Sequence, residues 1–467
     1  MQKLEVDVAI IGSGTAGLYA LSEVKRSGKT WVLIQGGPEG TTCARVGCMP
    51  SKLLLKTADL YAERANFAAQ GINGADGLSI DPVQVMTHLR SMRDQFVSGV
   101  TSKTTDRMDE QHFIRGFAKF TSKNSLKVHD LEVSFKKAII ATGSSPVVPA
   151  SWAEIKGIYT TDNLFEINRL PESLAVVGLG AIGLEIGQAM SQLGVQVVGF
   201  DQANTLASLQ DESLKASAIE YFNNLFPIHL GESVELEQAQ DGSVSVKNSQ
   251  GVQRFDAVLL SLGRRSNIGS MDIENAGVEL TNGYANFDPE SMQISDTNIY
   301  LAGDVTGDRA VMHEAADEGL IAGHNASADD IANQKRFKRK TPLGIVFTEP
   351  NIARVGDLFI DDSVVSVSQP IVNGRAKVKK QSAGGIVLHA DTRTGKLRGA
   401  ELVATEAEHM AHLLAWAIEQ NSTVADLQKM PVYHPVLEEA LMSAIEALGR
   451  KLEPQLCTAE HKLHRAI

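Results

Sequence analysis

The sequence contains few cysteines, few prolines and no long apolar segment, and each shortage excludes a class of protein. Three cysteines in 467 residues cannot form a disulfide scaffold and do not supply the ligands of a structural zinc site. The 14 prolines, against 40 glycines, argue against a Pro-rich linker protein. No apolar run reaches the ~18 residues of a membrane span, and residues 1–6 lack the core of a signal peptide. We therefore expect a soluble cytoplasmic protein with no metal site and no membrane partner.

Acidic residues outnumber basic ones. Lys and Arg number 44, Asp and Glu number 56, and the net charge is −12. Because phosphate backbones bind to basic surfaces, this balance argues against a nucleic-acid partner. Hydrophobic residues make up 43% of the chain and charged residues 21%, which allows a large buried core. The length predicts about three domains.

A glycine-rich motif occurs twice, each time between a predicted strand and a predicted helix. Its glycines are Gly12, Gly14 and Gly17 in the first copy and Gly178, Gly180 and Gly183 in the second. In such a unit the first glycine permits a tight turn, the second lets a pyrophosphate approach the backbone, and the third lets helix pack on strand. Phosphates then bind to free N–H groups of the helix N-terminus. The repeat predicts an α/β fold with two Rossmann-like dinucleotide-binding domains.

The residue that ends the second strand of each unit governs nucleotide preference. In the second unit this residue is Asp201, and no Lys or Arg follows before Lys215. A carboxylate that accepts from ribose hydroxyls, with no nearby arginine for a 2′-phosphate, favours NAD over NADP. In the first unit the residue is Gln35, which can bind a hydroxyl without the assistance of charge.

Helices are predicted over residues 50–70 and 81–108, and one continuous apolar strand over 255–262. The chain changes character from about Thr341, where a separate α+β domain is predicted. It has strands with alternating apolar residues around 385–402 and then an amphipathic helix. The apolar positions of that helix are Ala407, Met410, Leu413, Leu414 and Ala417.

Two of the three cysteines lie five residues apart, Cys43 on the approach to the predicted helix that has Pro50 in its first turn and Cys48 at the start of that helix. A helix N-terminus lowers the pKa of a thiol, which makes a thiolate available near neutral pH. The spacing also allows the two sulfurs to close a disulfide. Two structural thiols would be expected in apolar runs, whereas these have Gly, Arg and Pro as neighbours, so a redox pair is favoured. Cys457 stands alone and is predicted to be a free thiol.

The order and spacing of these motifs resemble those of the flavin-dependent pyridine nucleotide–disulfide oxidoreductases, and within them the dihydrolipoamide dehydrogenases. The resemblance covers nearly the whole chain; besides the glycine motifs it includes Gly40 to Lys52, Ala141 to Gly143, Thr297 to Asp304, and His434-Pro435. It implies FAD on the first unit, NAD on the second, and a C-terminal dimerisation domain. The implied bounds are 1–150 and 271–340 for the FAD domain, 151–270 for the NAD domain, and 341–467 for the dimerisation domain.

The resemblance also assigns roles to single residues. FAD would contact the first glycine motif and also Gln35, Thr42, Lys52, Ala118, Thr142, Gly143, Asp304 and His313. NAD would contact the second glycine motif and also Asp201 and Gly263. Lys52 and Glu185 would form an ion pair beside the flavin. His434, oriented by Glu439, would be the acid–base catalyst and would come from the partner subunit of a homodimer.

The implied reaction is the oxidation of a dihydrolipoyl group by NAD through FAD and a Cys43–Cys48 disulfide. The sequence departs from the family pattern at Gln35, at Val432 (usually a second histidine) and at Val436 (usually threonine). Two alternatives remain open: a reductase of another small disulfide, such as a glutathione-like one, and a subunit that binds the lipoyl domain of a 2-oxoacid dehydrogenase complex. Mercuric reduction is disfavoured, because a C-terminal cysteine pair and an N-terminal C-x-x-C domain are missing.

Overall fold

The computed structural model describes residues 2–330, 333–380, 383–453 and 462–463, and within these ranges it has 24 strands and 12 α-helices. The strands are β1 Gln2–Ile11, β2 Trp31–Gln35, β3 Phe113–Arg115, β4 Lys119–Ser122, β5 Ser125–Val128, β6 Leu131–Ile140, β7 Ser144–Pro146, β8 Ile158–Tyr159, β9 Ser173–Val177, β10 Gln196–Asp201, β11 Ile228–Leu230, β12 Glu235–Gln238, β13 Val244–Asn248, β14 Gly251–Phe255, β15 Ala257–Leu260, β16 Arg264–Ser266, β17 Leu280–Thr281, β18 Tyr284–Ala285, β19 Ile299–Leu301, β20 Leu343–Val346, β21 Asn351–Gly356, β22 Val364–Pro370, β23 Gly385–Asp391 and β24 Leu397–Ala404.

The helices are α1 Thr15–Ser27, α2 Thr42–Arg45, α3 Cys48–Ala62, α4 Pro82–Thr101, α5 Thr161–Leu164, α6 Ala181–Gln192, α7 Glu212–Leu225, α8 Met312–Ala326, α9 Gly374–Lys379, α10 Ala407–Glu419, α11 Val424–Leu427 and α12 Glu438–Leu452. Cys457, predicted to be a free thiol, lies outside the described residues. None of the helices in the described ranges is both long and apolar enough to cross a bilayer.

The first sheet carries the first glycine motif at the carboxyl end of β1. Its strands lie in the order β3-β2-β1-β6-β5-β4, and β19 also pairs with β6. The pairs that join β3, β2, β1, β6 and β19 are all parallel. Strand β19 follows the second sheet in sequence, so two separate parts of the chain complete one sheet. The predicted domain bounds stay a prediction.

Helix α8 closes over α1 at short range because it has two glycines at the crossing. A Cβ on Gly319 would lie 2.3 Å from the carbonyl oxygen of Ala16, and a Cβ on Gly323 would lie 2.5 Å from that of Ala20. Only glycine permits this approach of two backbones. The crossing fixes α1, and with it the first glycine motif, against the later part of the chain.

The second sheet repeats the arrangement, with strand order β11-β10-β9-β15-β8 and parallel pairing throughout. Its β9 leads into the second glycine motif, and β10 ends at Asp201. The single strand predicted over 255–262 is wrong. The chain is interrupted at Asp256, whose carboxylate accepts from the backbone N–H of Ser173 (3.0 Å), so β14 ends at Phe255 and β15 begins at Ala257.

The third sheet is antiparallel, in the order β20-β21-β24-β23-β22, and α10 and α12 pack on it. The alternation predicted around 385–402 is wrong, because β23 and β24 are buried along almost their whole length. Their second face packs against α7 of the second unit, where Val387 and Val403 join one apolar cluster with Leu214. The predicted amphipathic helix is α10, although Leu413 is 41% exposed and Ala411 is buried in its place.

Two other helices differ from prediction at their ends. Helix α3 begins at Cys48, two residues before Pro50, and ends at Ala62, after which short 3-10 turns continue to Gln70. The second helix, α4, ends at Thr101 and not at 108. Its N-cap is Asp81, whose carboxylate accepts from the N–H groups of residues 83 and 84.

Candidate active site

The two cysteines lie at a junction between two short helical segments. Cys43 is in α2, whose N-cap Thr41 accepts from the N–H of Ala44 (3.2 Å), and Cys48 is the first residue of α3. Gly47 allows the close turn between them, because a Cβ there would lie 3.1 Å from the carbonyl oxygen of residue 42. Cys43 is half-buried and Cys48 is exposed, and both are free thiols.

The two thiols have unequal acidity. The pKa of Cys48 is lowered to about 7, chiefly because Cys43 donates a hydrogen bond to it, with a further contribution from the positive charge of Lys52. The same hydrogen bond, followed by burial, raises the pKa of Cys43. Cys48 therefore ionises first, and it is the thiolate of the pair near neutral pH.

Lys52 and Glu185 meet one helical turn beyond Cys48. The Nζ of Lys52 lies 2.8 and 2.6 Å from the two carboxylate oxygens of Glu185, which is 5% exposed. The backbone N–H of Phe347 donates to the same carboxylate (2.9 Å), and its ring lies 4.6 Å from Nζ. A buried carboxylate needs such partners, and here an ion pair and an N–H group supply them. The structure thus joins α3, α6 and the segment that follows β20 at this point.

The first glycine motif has the geometry of a pyrophosphate-binding turn. Gly12 has φ +111°, and a Cβ on Gly17 would lie 1.8 Å from the carbonyl oxygen of Gly12. Gly14 has open space where its Cβ would be, and no side chain caps α1, so the helix N-terminus is open to an anion. The side-chain oxygen of Gln35 accepts from the N–H (2.7 Å) and Oγ (2.9 Å) of Ser13.

The residues predicted to contact the flavin at the end of β6 form a polar network. Asp304 accepts from the Oγ of Ser144 (2.8 Å), which in turn accepts from Nε of Arg264 (2.7 Å). Thr142 has a buried Oγ1 with no hydrogen-bond partner among the described residues, and Gly143 follows it with φ +67°. A buried hydroxyl without a partner is costly and is explained when a ligand supplies the partner. These residues therefore fit FAD.

Three further predicted FAD contacts lie at different depths. Ala118 is buried after Gly116, whose N–H donates to the carbonyl oxygen of Gln35 (2.8 Å). Thr42 is exposed at the start of α2, and His313 is exposed in the first turn of α8. Their contacts with FAD stay a prediction.

The second glycine motif opens on a cavity of about 650 Å³. Gly178 has φ +99°, and a Cβ on Gly183 would lie 1.9 Å from the carbonyl oxygen of Gly178. The carboxylate of Asp201 accepts from the N–H of Leu179 (2.6 Å). The lining includes Gly178, Gly180, Asp201, Glu232, Ser261 and Gly263, and contains no Lys or Arg among the described residues. A wall with two carboxylates and no cation fits NAD and disfavours a 2′-phosphate.

His434 lies apart from these groups, on the third sheet's side of the molecule. Its Nδ1 is 2.7 Å from the Oε1 of Glu439, at the start of α12, and its side chain is 80% exposed. The hydrogen bond from His434 lowers the pKa of Glu439. The pair is therefore formed within one chain, and its exposed imidazole faces outward from that chain.

Sequence reasoning missed several residues of this region. Phe347 contributes a backbone N–H, which leaves no signal in the sequence. Glu232 follows the parallel strand β11 and could have been found as a carboxylate at the edge where nucleotides bind. Glu318, buried in α8, accepts from the N–H of Gly303 beside Asp304 (2.7 Å).

Comparisons with known proteins agree with this geometry. The family described as pyridine nucleotide-disulphide oxidoreductase matches residues 6–319, and its dimerisation domain matches residues 343–445. The dihydrolipoyl dehydrogenase of Haloferax volcanii is 29% identical over 96% of this chain and 97% of its own. The mercuric reductase of Staphylococcus aureus is 29% identical over 97% of this chain and 84% of its own.

A solved structure shares the fold. The Cu(II) complex of the HOCl-induced flavoprotein disulfide reductase RclA from Escherichia coli has a TM-score of 0.81 at 23% identity, covering 95% of this chain and 99% of that one. The predicted fold class, two Rossmann-like dinucleotide-binding domains and a C-terminal α+β dimerisation domain, is confirmed. FAD and NAD are cofactors that fit the family and the two glycine motifs. This chain belongs to the pyridine nucleotide–disulphide oxidoreductases.

Proposed function

We propose that this protein is an FAD-dependent, NAD-linked dihydrolipoyl dehydrogenase with Cys43 and Cys48 as its redox disulfide. The observation that carries the proposal is the thiol pair at the junction of α2 and α3, where Cys48 is the first residue of α3 and has the lower pKa of the two. The Lys52–Glu185 ion pair lies one turn away. The relative named dihydrolipoyl dehydrogenase, similar over nearly the whole chain, supports the choice of dithiol.

The unequal acidity gives the two sulfurs different tasks. A dihydrolipoyl thiolate attacks Cys43 of the oxidised pair, so a bond forms between the substrate sulfur and Cys43 and the Cys43–Cys48 bond breaks. Cys48 leaves with the electron pair, because the thiol of lower pKa is the better leaving group. The second substrate thiol then displaces Cys43, which yields the lipoyl disulfide and a reduced pair of cysteines.

Other side chains are proposed to manage charge and protons. The partner's His434 accepts the proton of the attacking thiol, while Glu439 holds Nδ1 and leaves Nε2 to face the substrate. Lys52, held by Glu185, keeps a positive charge beside the Cys48 thiolate. Bound FAD supplies the two-electron link between the thiols and NAD.

A substrate comparison tests the proposal. The holoenzyme is assayed with dihydrolipoamide and NAD, and in reverse with lipoamide, oxidised glutathione and Hg(II) as acceptors, each with NADH and NADPH. We expect dihydrolipoamide with NAD to be oxidised, and in the reverse direction lipoamide with NADH to give a kcat/KM about 100-fold above the value for glutathione disulfide. Cys48→Ser should abolish the long-wavelength thiolate-to-flavin absorption band on two-electron reduction. A Cys48→Ser protein that keeps that band would contradict the assignment.

A second candidate function is the reduction of an acidic small disulfide. Arg45 lies between the two cysteines and its Nε is buried without a hydrogen-bond partner among the described residues. A cation at this place favours a negatively charged substrate. If this candidate is right, Arg45→Gln raises the KM of oxidised glutathione and leaves the KM of lipoamide unchanged. Equal effects on both substrates would remove the support for it.

The match to a dimerisation domain over residues 343–445 supports a homodimer, and we propose that each active site uses both chains. Cys43→Ser and His434→Gln chains are each expected to be inactive. In a mixture of equal amounts that exchanges subunits, half of the dimers are hybrids with one complete site, so about a quarter of wild-type activity should return. No recovery in verified hybrids would show that the histidine acts within its own chain. The lipoyl-domain partner and the cytoplasmic location stay predictions.

A further inference from the structure

A carboxylate of the third sheet reaches into the second dinucleotide-binding unit. Glu401 lies in β24 and is 1% exposed. Its two oxygens accept from the backbone N–H of Gln210 (2.9 and 3.2 Å), and one of them also accepts from that of Asp211 (2.9 Å). Within the described ranges, the cation that comes within 4 Å of it is Arg354, whose Nε is 3.7 Å away. The loop therefore supplies the hydrogen bonds that a buried carboxylate requires.

Gln210 and Asp211, which donate these N–H groups, lie at the end of a loop formed by residues 202–211. This loop forms one wall of the NAD cavity. Asp211 is the N-cap of α7, so the hold on its N–H also fixes where that helix begins. At the other end of the loop, Asp201 accepts from the N–H of Ala203 (2.8 Å). The loop is thus fixed at both ends by carboxylates, one from its own unit and one from the third sheet.

The middle of the loop is strained. Ala207 and Ser208 have φ of +49° and +58°, and both line the cavity. Residues other than glycine rarely adopt this conformation, and it persists only where the surroundings impose it. The N–H of Ala207 donates to the carbonyl oxygen of Leu179, inside the glycine motif (3.0 Å). The strained pair therefore connects the anchored loop directly to the pyrophosphate-binding turn.

We infer that Glu401 is a positioning residue for the nicotinamide nucleotide. It holds the loop 202–211 in the strained shape that completes the wall of the cavity, so that a side chain of the dimerisation domain sets the affinity for the ADP-ribose half of the nucleotide. The inference rests on the proposed role of this cavity as the NAD site. Glu401 is not part of the lining of the cavity, and it acts only through the loop.

Direct binding tests the inference. The Kd of ADP-ribose and of NADH is measured by calorimetry for holoenzyme with Glu401→Ala and with Glu401→Gln. We expect about a tenfold rise in both Kd values for Glu401→Ala and a smaller rise for Glu401→Gln, whose amide oxygen still accepts one hydrogen bond. The rate at which dihydrolipoamide reduces the enzyme without NAD, and the FAD content, should not change. In steady state KM for NAD rises and kcat does not.

Glu419→Gln is the matched control. Its carboxylate also accepts from a backbone N–H, that of Thr341 (2.9 Å), in the same part of the molecule, but it does not touch the loop. It should leave both Kd values unchanged. A Glu401→Ala protein with wild-type Kd values overturns the inference, and Glu401→Gln decides in the same way if the alanine variant does not fold. Wild-type enzyme that binds neither ADP-ribose nor NADH would instead overturn the proposed function.

Discussion

The two glycine motifs share one local plan. In both, the third glycine lies against the carbonyl of the first, with the Cβ position 1.8 and 1.9 Å from its oxygen. In both, the last residue of the second strand accepts from the N–H that follows the first glycine. Gln35 accepts from Ser13 at 2.7 Å, and Asp201 accepts from Leu179 at 2.6 Å. The sequence repeat is therefore a repeat of hydrogen bonds as well.

The helices that follow the motifs differ in what they contact. Two residues beyond the third glycine, α1 has Tyr19, which is 41% exposed, and α6 has Glu185, which is buried. Helix α1 packs on α8 through small residues, whereas α6 packs on α3 and brings its carboxylate to Lys52. The helix after the same kind of turn therefore has a different neighbour in each unit. In the first unit α1 packs on the later helix α8, and in the second unit α6 contacts the helix that begins with Cys48.

The largest expected effect comes from replacing the third glycine of each motif by alanine, in two separate variants. A methyl group on Gly17 or Gly183 cannot coexist with a carbonyl oxygen less than 2 Å away, so the helix must move off the motif. Gly17→Ala should be purified without FAD, measured as the ratio of flavin to protein absorbance. Gly183→Ala should keep FAD but lose NADH affinity by about 100-fold, and because Glu185 lies two residues further along the displaced helix, reduction by dihydrolipoamide should slow as well.

Gly99→Ala serves as the control for both variants. Gly99 lies in α4, and apart from the neighbouring backbone of that helix no atom of the described residues lies within 4 Å of the position of its Cβ. FAD content and NADH affinity should match those of wild type. If Gly183→Ala also loses FAD, the two units do not bind their cofactors independently, and the comparison between them fails.

Features set by short-range spacing were predictable from the sequence. The glycine motifs, the strand-end residues Gln35 and Asp201, and the position of Cys48 at a helix start all depend on neighbours within a few tens of residues. Their geometry follows from the turn, the strand end and the helix start themselves. No partner from elsewhere in the chain is needed to define them.

Features that depend on packing between distant segments were not predictable in this way. Lys52 and Glu185 are 133 positions apart, and only the family resemblance suggested that they pair. The N–H of Phe347 belongs to a backbone, so no residue type marks it. Strands β23 and β24 were misread because α7, from another unit, covers the face that local alternation assigned to solvent. The same packing hides the role of Glu401.

A smaller effect is expected from removing the charge of Lys52 or of Glu185, the ion pair through which α6 of the second unit contacts α3. The positive charge of Lys52 helps to lower the pKa of Cys48, and the negative charge of Glu185 opposes this. The thiolate is present above about pH 7 and is lost as the pH falls through that value. Lys52→Met should move the midpoint of the thiolate-to-flavin band upwards by about one pH unit, and Glu185→Gln should move it downwards.

The measurement is the absorbance of the two-electron-reduced holoenzyme titrated between acidic and alkaline pH. Lys56→Met is the control, because this lysine lies one turn further along α3 and its charge acts on Asp59. Its midpoint should equal that of wild type. A downward shift for Lys52→Met would mean that the charge nearest to Cys48 is not the one that stabilises its thiolate.

The smallest effects test the one chemical difference between the two strand ends. Asp201→Asn should weaken NADH binding about tenfold, because a charge-assisted hydrogen bond becomes a neutral one, and should reduce the preference over NADPH. Asp241→Asn is the control, since this carboxylate is exposed and bonds to the N–H of Ser243, away from the cavity. Its NADH affinity should stay at the wild-type value.

Gln35→Glu makes the reverse change in the first unit. A glutamate keeps the acceptor that holds the N–H of Ser13 and adds a charge for the ribose hydroxyls, but it loses the hydrogen bond that the Gln35 amide donates to the carbonyl oxygen of Pro38 (3.2 Å). The net gain in FAD affinity of the apoprotein should therefore be no more than about fivefold. The Kd is measured by titration of apoprotein with FAD, and Gln111→Glu, exposed at a loop before β3, is the control. If FAD affinity falls instead, the neutral amide is the better partner at this position. That result would mean that the neutral side chain of Gln35 suits the hydrogen bonds of the first turn better than a carboxylate such as that of Asp201 would.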